Sequence, residues 1–201
     1  MGVLQEGWYH ATLNLEDSVG VASQLGGVGS QQAATEAQRK WSQLWLATGA
    51  GRLAEAVATC DEIAALEPKN QEVVYQRALL LARGGAERRA EALAGFKAAI
   101  KAAPRQAEPY NNWAGLLMAG MGQGGDDAKH ARQAESALRK ATALNPTHAN
   151  AWENWAILHD ALRRAGEAKA ARAKAAKAER LLGGSADFHS LDGGGRTHAE
   201  L

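Results

Sequence analysis

Residues 149–182 read ANAWENWAILHDALRRAGEAKAARAKAAKAERLL, and the rest of the chain can be compared with this stretch. In both halves of the stretch, apolar residues recur every three or four positions, which is the period of one face of an α-helix. Gly166 separates the two halves. The stretch therefore predicts two amphipathic helices joined by a short turn. Because neither helix can bury its apolar face alone, such a hairpin favours stacking on another.

Three segments elsewhere in the chain share one ending, a proline that has no amide proton to donate and therefore stops a helix. These prolines are Pro68, Pro104 and Pro146. A small residue stands twelve positions before each proline and an apolar residue stands eight positions before it. The small residues are Ala56, Ala92 and Ala134, and the apolar residues are Cys60, Phe96 and Leu138. One motif is thus used at least three times.

The repeated pattern resembles the tetratricopeptide repeat family, whose unit is a helical hairpin of about thirty-four residues. The resemblance extends from about residue 35 to residue 182 and comprises four copies. The family's first helix carries a large residue, Leu, Gly and Tyr, and the matching places here, from the last copy to the first, are Trp152, Trp155, Ala156 and His159; Tyr110, Trp113, Ala114 and Leu117; Val74, Arg77, Ala78 and Leu81; and Trp41, Leu44, Trp45 and Thr48. The copies are longer than the family's unit, and Trp45 stands where a small residue is usual.

These observations predict an all-α fold, a right-handed superhelical solenoid of about four stacked helix-turn-helix repeats with irregular N- and C-terminal extensions. The predicted domains are an N-terminal arm (1–32), a tetratricopeptide-like repeat domain (33–182) and a Gly-rich C-terminal tail (183–201). The predicted helices are 33–48, 52–66, 71–83, 87–102, 107–119, 127–144, 149–164 and 167–182.

Bulk composition does not indicate the class of partner, because a formal net charge of +1 favours neither nucleic acid nor a membrane surface. Cys60 is the only cysteine, so no intrachain disulfide can form, and its place in a helical motif indicates a buried, unreactive thiol. The sequence has neither a secretion signal at its start nor an apolar run of about eighteen residues. We therefore expect an intracellular protein without a transmembrane segment, soluble or peripheral to a complex, with cytoplasm and organelle interior both open.

Nothing in the sequence assembles a catalytic site, and we predict no enzyme activity, cofactor or metal. Gly120, Gly122 and Gly125 have the spacing of a dinucleotide-binding fingerprint, but a helix precedes them where that motif needs a strand. Asp126 and Asp127 would repel phosphate, so a loop between helices is expected instead. The six histidines have no metal-binding spacing, and no nucleophile, base and orienting acid can be grouped.

The family resemblance nominates a partner-binding groove lined by the first helices. In that family, the second, fifth, sixth and ninth places of each first helix line the groove. Here the sixth places hold Gln43, Gln76, Asn112 and Asn154, and the fifth places hold Ser42, Tyr75, Asn111 and Glu153. Amide side chains can both donate to and accept from the backbone of an extended peptide, although a polar surface without a ligand explains the same residues. The ninth places lack the cations that clamp a chaperone's carboxylate tail, which argues against that ligand and for an apolar or helical segment. They are Leu46, Leu79, Gly115 and Ile157.

The arm and the last helix offer two further contact surfaces. Trp8 and Tyr9 in the arm are costly to leave in water, so the arm is either a loose tail or docked on a partner. The last helix is rich in Lys and Arg, whereas residues 1–38 contain neither. This basic patch, represented by Lys169, Arg172 and Lys177, is either an RNA or anionic surface or a solvated capping helix.

The sequence thus favours a non-enzymatic protein-protein interaction scaffold or adaptor, acting as a subunit or assembly factor of a larger complex. The alternative is an RNA-associated helical-repeat protein that uses its basic last helix. A third possibility is self-association, in which the acidic arm meets the basic helix of a neighbouring copy.

Overall fold

The computed structural model describes the chain over residues 28–123 and 126–187, with side chains over 34–123 and 126–181. Within this part of the chain there are eight α-helices and one short 3-10 turn, Ala86–Arg88, but no strand. The helices are α1 (Val28–Gly49), α2 (Leu53–Leu66), α3 (Gln71–Arg83), α4 (Arg89–Ala102), α5 (Glu108–Ala119), α6 (Asp127–Leu144), α7 (Ala149–Ala161) and α8 (Ala165–Asp187). Each helix packs on the next along the chain, and α5 also packs on α7. This is the predicted all-α solenoid of four hairpins.

The turns between hairpins are three copies of one structure. In each, the residue before the proline closes the helix by donating its N–H to the carbonyl four residues earlier, as Ala103 does to Ala99 at 2.8 Å. The proline then prevents the helix from continuing, because it has no N–H to donate. In two copies the large residue of the following first helix donates to the proline's carbonyl oxygen, Tyr110 to Pro104 and Trp152 to Pro146. The proline motif therefore sets both the end of one hairpin and the start of the next.

The turns inside the hairpins share a different device, a residue in the left-handed region of backbone space. Gly51, Gly85 and Gly122 have φ values of 71°, 81° and 76° in the first three hairpins. The fourth hairpin has Arg163 there instead, with φ 58°. A side chain disfavours this conformation, because Cβ comes close to the following carbonyl oxygen. The backbone at Arg163 is therefore strained, at a position that glycine occupies in the other three hairpins.

Replacing Arg163 by glycine should therefore stabilise the protein, by about 0.5–1 kcal/mol, because glycine adopts a positive φ without steric cost. Urea denaturation followed by circular dichroism would measure the change. As the matched control, Gly51→Ala should lower the free energy of unfolding by a similar or larger amount. A destabilised Arg163→Gly variant would mean that the arginine side chain, not the backbone, fixes this turn.

The core follows the repeated motif closely. The small residues twelve positions before the prolines are buried, and so are the apolar residues eight positions before them. Close approach is what the small residues permit, and at Gly95 of α4 an added Cβ would lie 3.0 Å from the Cβ of Ala78 in α3. Cys60 is fully buried, and burial, with a smaller contribution from Asp61, raises the pKa of its thiol to about 12. The prediction that Cys60 is buried is confirmed, and a raised thiol pKa is what an unreactive cysteine would have.

Several predicted boundaries shift by a few residues. We expected Gly166 to form the last turn, but it lies inside α8, because the left-handed Arg163 ends α7 at Ala161. The helix predicted over 87–102 starts as the 3-10 turn before α4. At the two ends of the repeat domain, α1 begins at Val28 rather than at residue 33, and α8 runs to Asp187 rather than to residue 182.

The first hairpin departs from the register of the others. Ala78, Ala114 and Ala156 occupy the small-residue place of α3, α5 and α7, and each is 0% exposed. In α1, Leu44 is 1% exposed, whereas Trp45, next to it in the chain, is half-buried. The assignment of Trp45 to that place is therefore wrong by one residue, because a tryptophan cannot fit where helices approach so closely. Trp45 instead stacks on Trp41, with ring centroids 5.8 Å apart.

The glycine-rich segment after α5 is a connection between helices, as expected. The backbone N–H of Gly122 donates to both carboxylate oxygens of Asp127, at 3.0 and 3.1 Å. The Asp126 side chain accepts from the N–H of Lys129 and so caps α6. Residues 124–125 lie outside the described part of the chain. Because carboxylates already receive the N–H groups around this turn, it does not resemble a phosphate-binding loop.

Candidate partner-binding face

The helices α1, α3, α5 and α7 lie first in their hairpins, and we call the side of the stack that they form the first-helix face. A chain of side-chain hydrogen bonds crosses this face from α3 to α7. Asn154 donates its Nδ2 to Asn111 at 2.8 Å, Asn111 donates to Asn112 at 3.3 Å, and Asn112 donates to the Tyr75 hydroxyl at 2.7 Å. We call these four residues the amide ladder. The structure thus brings together four of the residues that the family resemblance nominated.

The two halves of the amide ladder differ in exposure. Asn111 and Asn154 are only 5% and 7% exposed, and they bond to each other. Burying an amide is tolerated only when it is hydrogen-bonded, so this pair holds α5 against α7. Asn112 and Tyr75 are half-buried and reach the surface. A bound segment can therefore meet the α3–α5 end of the ladder more directly than the α7 end.

The two nominated glutamines, Gln43 and Gln76, are placed less favourably for contact with a partner segment than the residues of the amide ladder. Gln76 is buried and donates its Nε2 to Glu72 at 2.7 Å within α3, so its donor is directed at its own helix. Gln43 is exposed on α1. In the register set by Leu44, Ser42 rather than Gln43 is equivalent to Gln76. A contact of Gln43 with a partner remains a prediction.

Carboxylates surround the exposed end of the ladder. Glu72 and Glu108 stand in the first turns of α3 and α5, each four residues before an amide of the sixth place. Burial chiefly raises the pKa of Tyr75, and the negative charges of Glu108 and Glu72 raise it further, against a hydrogen bond from Asn112 that lowers it. Glu72 is three residues before Tyr75 in α3 and Glu108 is four residues before Asn112 in α5, so each shares a helix face with its part of the ladder. Carboxylates at a helix N-terminus are also stabilised by the helix dipole.

This face has few cations to balance those charges. Helices α5 and α7 contain no Lys or Arg, but they carry Glu108 and Glu153, as well as Asp160, which is paired with Arg172 of α8. The cations Arg39 and Lys40 are in α1, away from this part of the face. In α3, Arg77 is directed at the second helices of the stack, where it pairs with Asp61 and Glu91 at 2.7 and 3.3 Å. Sequence analysis missed the acidic character of this face, although the four-residue spacing of Glu72 and Glu108 from Gln76 and Asn112 could have indicated it.

The ninth places contribute apolar surface only in part. Leu46 is 69% exposed, whereas Leu79 and Ile157 are half-buried and Gly115 is buried. None of them supplies a cation, which agrees with the argument against a chaperone's carboxylate tail. Polar and acidic groups therefore dominate the chemistry of the face between α3 and α7.

The predicted basic patch on the last helix is less compact than its sequence suggests. Lys169, Arg172 and Lys177 are all exposed. Arg172 forms an ion pair with Asp160 of α7, so part of its charge is already balanced. At about 100° per residue, Arg172 and Lys177 point some 140° apart around the helix axis. Lys169 lies between them, about 60° from Arg172 and 80° from Lys177, so the three cations are spread over a wide arc with one of them already paired, and we expect weak attraction for a polyanion.

Three other predictions concern the aromatic residues of the arm, a metal site and a membrane-spanning helix. Trp8 and Tyr9 lie outside the described residues. Over residues 28–123 and 126–187, no three His, Cys, Asp or Glu side chains are grouped so that they could hold a metal ion. In the same ranges no helix has the combination of length and hydropathy needed to cross a bilayer.

The hairpin stack, its proline turns and its buried small residues define a tetratricopeptide-like helical-repeat fold. Solved structures agree. A thermophilic TPR protein from Thermus thermophilus superposes with a TM-score of 0.62 at 21% identity, covering 71% of this chain and 74% of that one. MamA from Desulfovibrio magneticus RS-1 gives a TM-score of 0.59 at 18% identity and covers 78% of each chain.

An enzyme is also among the similar structures. O-GlcNAc transferase from Thermobaculum terrenum gives a TM-score of 0.53 at 18% identity, covering 64% of this chain but only 23% of the transferase. This match therefore carries no argument for transferase activity. No family model and no curated protein sequence matches the chain. At these identities the likenesses show the fold, and function has to be argued from the site.

Proposed function

We propose that this chain is a non-enzymatic scaffold or adaptor that holds a segment of a partner protein on the first-helix face, as a subunit or assembly factor of a larger complex. The observation that carries the proposal is the amide ladder, which continues across three hairpins and reaches the surface at Tyr75 and Asn112. Side chains that both donate and accept can pair with the backbone of a bound segment.

The charges around the ladder support one kind of segment, a basic one. Glu72 and Glu108 lie one helical turn before Tyr75 and Asn112 at its exposed end, and Glu153 lies exposed on α7. A segment carrying Lys or Arg would gain charge-assisted hydrogen bonds there, whereas an acidic segment would lose its hydration beside like charges. The partner is therefore a protein with a basic segment. This preference is opposite to that of family members whose cations bind the carboxylate tail of a chaperone.

A charge reversal at two exposed positions tests the proposal. The variant Glu108→Lys/Glu153→Lys should reduce capture of protein partners from a source-cell lysate by about tenfold or more, since rim charges steer encounter and truncated or reversed pairs weaken binding. The matched control, Glu87→Lys/Glu179→Lys, makes the same charge change at exposed residues off the first-helix face and should keep the partners.

Asn112→Ala provides a second variant, since its side chain is half-buried and its loss disturbs the fold less than loss of Asn154. Partner capture that survives in both face variants would contradict the proposal. Bound material that disappears on ribonuclease treatment, or through Lys169→Glu/Lys177→Glu alone, would support the RNA-associated alternative instead.

A further inference from the structure

A second surface lies at the other side of the last hairpin and is unrelated to the amide ladder. It is a shallow cleft of about 360 Å³ between α6 and α8, and its floor is made by α7. We call it the aromatic cleft, and its main lining residues are Arg139, Trp152, Trp155, His159, Glu167 and Lys174. The three ring side chains are half-buried, so the cleft presents aromatic surface to solvent.

The floor of the cleft is preorganised for a flat apolar or aromatic group. Trp155 and His159 stack in parallel, with ring centroids 5.0 Å apart and an interplanar angle of 12°. Trp152 is fixed by its Nε1 donating to the Pro146 carbonyl at 2.8 Å. The buried Nε1 of Trp155 has no hydrogen-bond partner within the part of the chain described. Rigid aromatic surfaces of this kind bind with little loss of side-chain entropy.

The walls of the cleft favour an acidic occupant. Lys174 places its Nζ 4.2 Å from the centroid of the Trp152 ring, a cation–π contact at the rim. Arg139 is exposed on the opposite wall, and Glu167 is the single carboxylate among the lining residues. The cleft therefore matches a segment that combines aromatic residues with negative charge.

This chain contains such a segment outside the described residues. The N-terminal arm has adjacent Trp8 and Tyr9, three acidic residues (Glu6, Glu16 and Asp17), and no Lys or Arg. The C-terminal residues 188–201 fit less well, because they have one aromatic residue, Phe188, and charges of both signs. Of the two terminal segments, the arm is complementary in both ring content and charge.

We propose that the aromatic cleft binds the N-terminal arm of a second copy of this chain, so that copies join head to tail. Helices pack successively from α1 to α8, so α1, which follows the arm in the chain, is at the end of the stack opposite to the cleft. The arm and the cleft are different surfaces, which makes the contact heterologous and leaves one of each unpaired at the ends of every assembly. This contact is independent of partner binding at the first-helix face.

A complementation experiment with full-length protein tests this arrangement. The arm variant is Trp8→Ala/Tyr9→Ala, the cleft variant is Arg139→Glu/Lys174→Glu, and the control Lys101→Glu/Arg105→Glu reverses exposed charges elsewhere. Light scattering after size exclusion should show the mass of wild type and control rising above the 21.2 kDa of one chain as concentration increases. Each arm or cleft variant alone should stay a monomer.

A mixture of the two variants is the decisive sample, because one supplies an intact cleft and the other an intact arm. It should form pairs with twice the mass of one chain and nothing larger. Wild type that is monomeric at every concentration would overturn the proposal, and so would a mixture that does not pair. Self-association that is lost on ribonuclease treatment would assign the cleft to RNA, and loss through Phe188→Ala alone would assign it to the C-terminal residues.

Discussion

Replacing Phe96 by alanine should lower the free energy of unfolding by about 3–5 kcal/mol, because the substitution removes a buried ring and leaves a cavity. Phe96 is 1% exposed in α4 and is among the largest fully buried side chains of the described residues. Its ring also contacts that of Tyr75, with centroids 6.3 Å apart. The core therefore supports one end of the amide ladder directly.

Urea denaturation would measure this loss, and Lys101→Ala on the same helix serves as the control. Lys101 is exposed, so we expect a change within about 0.5 kcal/mol. The Phe96 variant should also weaken partner capture beyond what its unfolded fraction explains, because Tyr75 loses the ring that orients it. A loss of stability below about 1 kcal/mol would mean that the ring does not occupy the core position that the repeat assigns to it.

Replacing Asn154 by alanine should cost about 1–3 kcal/mol, more than its small change in apolar area implies. The substitution leaves the buried Oδ1 of Asn111 without the donor that it has at 2.8 Å, and an unsatisfied buried acceptor carries its full desolvation penalty. Asn111→Ala leaves the Nδ2 of Asn154 without its acceptor in the same way. Each single variant should therefore be destabilised because the buried amide of the remaining asparagine has lost its hydrogen-bond partner.

A double-mutant cycle distinguishes this bond from two independent losses. Asn111→Ala/Asn154→Ala should be less destabilised than the two single variants added together, by about 0.5–3 kcal/mol, because the second substitution removes the group left unpaired by the first. Strict additivity would show that the two amides do not interact. In that event the ladder would not connect α5 to α7.

The architecture could be read from sequence because it depends on local chemistry that repeats. A proline ends each of three hairpins, and the small and apolar residues at fixed distances before it specify where the helices touch. Because the same motif recurs in several hairpins, each copy supports the assignment of the others. The first hairpin was the exception, since Trp45 and Leu44 are both apolar and only the packed structure shows which of them fits the narrow place.

The site could be predicted only in outline. Resemblance nominated Tyr75, Asn111, Asn112 and Asn154, but which amide faces another amide depends on the angle between hairpins, and the sequence does not contain that angle. The turn at Arg163 was missed for a related reason, because a left-handed arginine has no local signature like that of glycine. The aromatic cleft required three helices to be in place before its residues could be grouped.

The first-helix face and the aromatic cleft are the two independent contact surfaces that we propose for the chain. One is acidic and polar and fits a basic segment of another protein; the other is aromatic with cations at its rim and fits the acidic arm of a second copy. Together they would let an assembly of copies present several partner sites at once, which raises avidity without any new contact.

Site-specific photocrosslinking tests the central claim most directly. A photoreactive amino acid at position 108, exposed in α5 beside the ladder, would be compared in source cells with the same group at position 87, exposed in the turn before α4. We predict a protein adduct at position 108 but not at position 87, with the crosslinked peptide of the partner rich in Lys or Arg. A partner that crosslinks at position 87 and not at position 108 would place the binding surface elsewhere and contradict the account.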